Sequence, residues 1–239
     1  MKLLILFFLC AHLFCREVQS TEQKKQLTFV TVENVVKMPE VYDKVRQAYD
    51  SLNYRVELIE MPSKRALIEA KQNHFIDGDL IRASAAENTL PDHIKIPIPI
   101  YVAKIKAYVT NGDINITTWE DLNRYNLVTV RGILATNTKL TDLGFDFKLV
   151  SNAQQALDMV KKGRADIAVV IAESIEDDNN FAMLSEQFPY SAVIDERPFY
   201  HFIHKKHKAL VPELTEVFKL VFADVKFQEY EDEKSPPVH

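Results

Sequence analysis

The sequence predicts an α/β protein built as two similar lobes joined by a hinge, with a cleft between them. Three observations carry this. Residues 61–84 (MPSKRALIEAKQNHFIDGDLIRAS) read as a helix feeding a strand, and residues 151–174 (SNAQQALDMVKKGRADIAVVIAES) repeat that grammar. The stretch ahead of the first copy alternates strand and helix. In each copy an Ala-Leu pair is followed by a polar turn, an aspartate and an apolar strand.

In the first copy Ser63 follows Pro62 and is the expected N-cap. Ala66, Leu67 and Ala70 form a narrow apolar stripe, with Lys64, Arg65, Glu69 and Lys71 outside it. Asp77-Gly78 then turns the chain into a short strand, Leu80-Ile81, that ends on Arg82. In the second copy Ser151 with Gln154 reads as a capping box. Ala153, Ala156, Leu157 and Val160 fall at i, i+3, i+4 and i+7. Gly163 sits where a left-handed C-terminal cap belongs, and Asp166 opens the buried strand 167–172.

The other elements follow in order. Strands are expected at 27–33 and 54–60, with a helix from Pro39 through Leu52 between them. Residues 94–100 (IKIPIPI) are apolar, but two prolines bar them from a central strand. A long strand runs over 101–111. Thr117 and Glu120 cap a short helix at 118–124, and 127–131 is a strand running into Gly132. A helix at 137–143, a strand at 147–150, partly helical polar chain at 175–187, strands at 192–195 and 199–204, and a helix at 210–227 complete the reading.

The chain has 239 residues, 47% of them hydrophobic, enough for one large or two small cores. A net charge of −5, with no basic stripe, excludes nucleic acid as the main partner. Residues 1–20 read as a cleaved signal peptide: Lys2, an apolar run over 3–9, and Val18-Gln19-Ser20 before Thr21. Its apolar stretch is too short for a membrane span, a retained anchor being the alternative. Cys10 and Cys15 both lie in it, so the exported chain would carry no disulfide. The charged, proline-bearing end over 231–239 is expected to be disordered.

Catalytic and cofactor signatures are missing. There is no glycine-rich phosphate loop, no Gly-x-Ser-x-Gly, no His-Glu-x-x-His and no cysteine nucleophile beyond residue 20. Asp77-Gly78-Asp79 is explained by a turn rather than a metal. His201, His204 and His207, spaced by three, alternate faces on a strand and read as a solvated basic strand end. No cofactor and no metal are expected.

This order resembles the bacterial extracellular solute-binding proteins of family 3, the amino-acid-binding group with the type II periplasmic-binding fold. Pro62 to Asp77, Thr117-Thr118-Trp119-Glu120-Asp121-Leu122, Val130-Arg131-Gly132 and Gly163-Arg164-Ala165-Asp166 match its pieces in order. The resemblance implies lobe one at 21–108 plus 200–230 and lobe two at 109–199. It also implies a non-enzymatic, monomeric, periplasmic binder of a small molecule that serves an ABC permease or a sensor.

Three departures bear on the ligand. The arginine that grips an α-carboxylate is absent from Glu87-Asn88-Thr89, the aspartate that holds an α-amine is replaced by Ile171, and Asn34-Val35-Val36 replaces a proline-aromatic run. In their place Arg82, read as an uncompensated cation near the cleft, is a candidate anion grip, with a surface pair to Glu87 as the plainer alternative. Arg131 and the amide of Gly132 offer a second anion contact, or a solvated turn. Glu173 can reach the cleft, and Tyr101 can stack on a ligand or pack in the hinge. The expected ligand is small, polar and anionic. The alternative is an enzyme or a partner-binding protein on the same lobes.

Overall fold

The structure, a computed structural model, describes residues 24–33, 39–176 and 179–226. The expected signal peptide with Cys10 and Cys15, the Asn34-Val35-Val36 departure and the chain end over 231–239 lie outside these.

The elements are β1 (Lys25–Val32), α1 (Pro39–Ser51), β2 (Tyr54–Met61), α2 (Ser63–Gln72), β3 (Gly78–Ala83) and β4 (His93–Tyr108). They continue with β5 (Leu127–Val130), α3 (Leu134–Asp142), β6 (Phe147–Val150), α4 (Ala153–Lys161) and β7 (Ile167–Ile171). The last are α5 (Phe181–Gln187), β8 (Ala192–His204) and α6 (Val211–Val221). One sheet runs β2-β1-β3-β8-β4-β7-β5-β6. Its two ends repeat one motif: β1 pairs in parallel with β2 and β3, and β5 pairs in parallel with β6 and β7. Parallel neighbours need a helical crossover, which α1 to α4 supply.

Each half has its own apolar interior. Around β1 and β3, Phe29, Val45, Tyr49 and Leu80 pack with Leu214 and Phe218 of α6. Around β5 and β7, Val128 and Ala168 pack with Ala156, Leu157 and Val160 of α4, the residues the i, i+3, i+4, i+7 pattern selects. The antiparallel strands β4 and β8 run through both halves.

Several expectations change. The prolines of 94–100 sit inside the 16-residue strand β4, between β8 and β7 in the sheet order. They are accommodated because β7 pairs only with residues Ile105 to Tyr108, so β4 has one sheet neighbour where Pro97 and Pro99 fall. The register against β8 also shifts around Pro99. Strands 192–195 and 199–204 are likewise one strand, β8. The cap of α4 is Asn152, whose side chain accepts from Gln155 N at 3.0 Å, one residue after the predicted Ser151. Ahead of the short turn Glu120–Arg124 it is Asp121, not Glu120, that accepts from Thr117 N and Thr118 N, both at 2.9 Å. Those bonds hold its carboxyl at about 2.

Candidate functional site

The parallel strands of both halves end at one place. Val32 closes β1, Arg82 and Ala83 close β3, and Ile171 closes β7. Parallel α/β sheets present binding crevices at these carboxyl ends. A cleft partly open to solvent lies here, with about 630 Å³ of empty space when the solvent at its opening is counted. Its floor is the pair of crossing strands, with Tyr101 and Ala103 from β4 and Phe199 from β8. Tyr101 and Phe199 are direct cross-strand partners. Ile133, Leu134 and Ala135 at the start of α3 close it from the second half. A second, smaller space adjoins it between Ser63 at the start of α2 and Asn152 and Ala153 at the start of α4.

Arg82 lines the cleft and is 3% exposed, but its charge is already met. Its Nε–H donates to Asp79 Oδ2 at 2.6 Å, Nη1 donates to Ser63 Oγ at 2.8 Å and Nη2 to Ser63 O at 3.1 Å. Asp79 is fully buried, and burial raises its pKa against the pull of Arg82. The expectation of an uncompensated cation, and the alternative pairing with Glu87, are both corrected. Glu87 pairs instead with Lys95 at 2.8 Å. Side chains three apart on a regular strand point to opposite faces, so Asp79 and Arg82 give no sequence signal as a pair. The register of β3 against β8 shifts between these two residues, which lets them meet.

Glu173 also lines the cleft, from a short turn after β7. Its carboxylate accepts from Lys104 N at 3.2 Å. Burial raises its pKa. Burial raises the Tyr101 hydroxyl as well, and the charge of Glu173 and a hydrogen bond to it add to that. Arg82, Tyr101 and Glu173 therefore converge on one cavity.

Arg131 and Gly132 do not line it. Arg131 is exposed at the end of β5. The Gly132 amide donates to Asn137 Oδ1 at 2.9 Å, so the expected anion contact there is corrected. Gly132 instead joins the two halves. Its carbonyl accepts from Ser63 Oγ at 2.9 Å, and its φ is +83°. A Cβ on it would stand 2.6 Å from Lys64 N. Asp79, Arg82, Ser63 and Gly132 thus form one chain of contacts from β3 through α2 to the end of β5. Ser63 is the part that sequence reading misassigned: α2 begins at Ser63 with Pro62 before it, and the hydroxyl serves the cleft instead of the helix end.

The lining holds no nucleophile poised beside a base. Ser174 donates to Ile171 O at 2.6 Å, and Ser63 is bound as described. Among the described residues no cluster of three His, Cys, Asp or Glu side chains could hold a metal. The three histidines part company, and the solvated strand end is corrected. His201 is buried between Tyr49 Oη at 2.7 Å and Leu80 O at 3.0 Å, while His207 pairs with Asp77 at 2.7 Å.

No protein-family model matches the chain, and no curated sequence does. Solved structures match it by shape. A histidine kinase sensor domain with similarity to periplasmic binding proteins has a TM-score of 0.64 at 13% identity, over 84% of this chain and 92% of that one. An amino acid ABC transporter substrate-binding protein from Streptococcus pneumoniae bound to L-arginine has a TM-score of 0.59 at 15% identity, over 84% and 90%. The GluR0 ligand-binding core from Nostoc punctiforme, in complex with L-glutamate, has a TM-score of 0.61 at 15% identity, over 83% and 93%. This chain has the two-lobe periplasmic-binding-protein fold. The resemblance drawn from the motifs stands at that level, and in this fold the cleft described above lies between the lobes.

Proposed function

We propose that the protein is a non-enzymatic solute-binding protein that closes two lobes on a small molecule. The observation that carries this is a cleft made by the strand ends of both halves and floored by the two strands that cross between them. Relative rotation about β4 and β8 would open and close such a cavity. Lobe one is taken as 21–108 plus 200–230 and lobe two as 109–199. Export by the leader over 1–20 to the periplasm, a monomeric state, and service to an ABC permease or a sensor belong to the same reading. The shape neighbours include one protein of each kind. Among the described residues no helix is long and apolar enough to cross a membrane.

The ligand is not taken to be anionic. That preference rested on an unpaired Arg82, and Asp79 pairs it. The test is a metabolite screen by thermal shift with small-angle scattering on the hits. A ligand that raises the melting temperature and compacts the chain, without product formation, is the expected result. Turnover of the ligand, or stabilisation without any compaction, would overturn this reading.

A further inference from the structure

We propose that the cleft takes a small apolar amine, a primary ammonium on a hydrophobic body with no carboxylate beside it, and that Glu173 receives the ammonium. This rests on the solute-binding reading and names its ligand class.

The charges around the cavity decide the sign. Arg82 brings the one cation to the lining, and Asp79 cancels it at 2.6 Å from inside the wall. Glu173 and, at the exposed rim, Glu33 remain. The balance seen by a ligand is acidic, so a carboxylate or phosphate entering would face carboxylates with no free counter-charge. Lys104, whose backbone N–H bonds Glu173, is an exposed residue and is not part of the lining.

The walls decide the body. The lining surface is mostly apolar, with Ile81, Ala103, Ile133, Leu134, Ile171 and Phe199 contributing to it, so most of the ligand must be apolar. Ile171 cannot accept from an ammonium, whereas Glu173, two residues on, can. Its carboxylate is bonded by Tyr101 and by its own backbone N–H, and it takes Lys104 N only through long shared contacts of 3.3 and 3.2 Å, which an ammonium would displace. Tyr101 and Phe199 are cross-strand partners on the floor, and aromatic rings in the lining suit a cation where one of them meets it face-on. An α-amino acid would bring a carboxylate as well, and Arg82 is already held by Asp79 and Ser63.

The experiment titrates the full exported chain, by calorimetry and thermal shift, with primary amines of increasing apolar body, from butylamine to phenethylamine. Phenethyl alcohol, phenylacetate and phenylalanine are the controls. At least one amine should bind and raise the melting temperature, and the alcohol, acid and amino acid should not. Glu173→Gln, which keeps an acceptor for Lys104 N, should weaken amine binding about 10- to 100-fold, as loss of a charge-assisted bond does. Its ligand-free melting should remain cooperative. The alcohol comparison uses unmodified protein and is independent of that variant. Equal binding of amine and alcohol would overturn the proposal. Tighter binding of an acid or an α-amino acid would overturn the ligand class and leave solute binding intact. A chain that no metabolite stabilises would overturn both.

Discussion

In both halves of the molecule the aspartate ahead of the third strand closes the same pair of bonds. Asp77 N donates to Thr28 O at 2.7 Å, and Asp77 Oδ2 accepts from Thr28 N at 2.7 Å. Asp166 N donates to Asn126 O at 2.8 Å, and Asp166 Oδ2 accepts from Asn126 N at 2.7 Å. Five residues further on, the halves diverge. Arg82 stands at the end of β3, locked to Asp79, and Ile171 stands at the end of β7. Both line the same cleft. The aspartate belongs to the motif, because it fixes where the third strand joins the first. The strand end carries no such duty, so each half can build a different wall there.

The largest break in this comparison is Arg82→Ala. It strands Asp79, fully buried, without a counter-charge, and should cost about 3–5 kcal/mol in urea unfolding. Ile171→Ala, at the matching position, removes apolar contacts only and should cost about 2 kcal/mol, since Ile171 is half-buried. Near-equal losses would show that the ion pair contributes little.

Acid should separate the halves next. Burial lowers His201 to about 4, and burial with the nearby His204 lowers His93 to about 4. A histidine held below its unfolded value near 6.5 stabilises the fold fully above that pH. That contribution is lost as the pH falls toward 4. For His201 the loss is on the order of 3 kcal/mol. Asp77 adds to the loss at lower pH: burial raises its pKa, but hydrogen bonds from Lys206, Thr28 N and His207 outweigh that and hold it low. Residues 109–199 contain no histidine. Hydrogen exchange at pH 5 should therefore show β1, β3 and α6 losing protection before β5 and β7. Simultaneous loss would mean that the halves unfold as one unit.

Two glycines sharpen the contrast more gently. Gly163 has φ +64° with open space around it, so Gly163→Ala should cost about 1 kcal/mol of backbone strain. Gly132 combines φ +83° with the close approach to Lys64, so Gly132→Ala should cost about 2–3 kcal/mol and push the halves apart. Scattering on both variants checks this, with expansion expected for Gly132→Ala alone. Ser63→Ala is comparably mild, about 1–2 kcal/mol, because one donor of Arg82 and the Gly132 carbonyl each lose a partner. A thermal melt that does not move would mean that water replaces the hydroxyl at both ends.

The sequence by itself determined the repeated α/β units, the helix stripes, the left-handed cap at Gly163 and, to within a residue, where β3 and β7 end. These depend on spacing within a few residues, which periodicity and turn chemistry report. Only the tertiary structure decided what the cleft residues do. Arg82 looked free because its partner Asp79 lies three residues back, on the opposite face of any regular strand, and only an irregular register against β8 brings them together. Ser63 looked like a helix cap because its neighbour Gly132 is 69 residues away in the chain. The prolines of β4 looked like a barrier because the position at which β7 stops pairing is set by the sheet, and no local pattern records it. Charge compensation and sheet edges are relations between distant segments, so they arise only when the chain has folded.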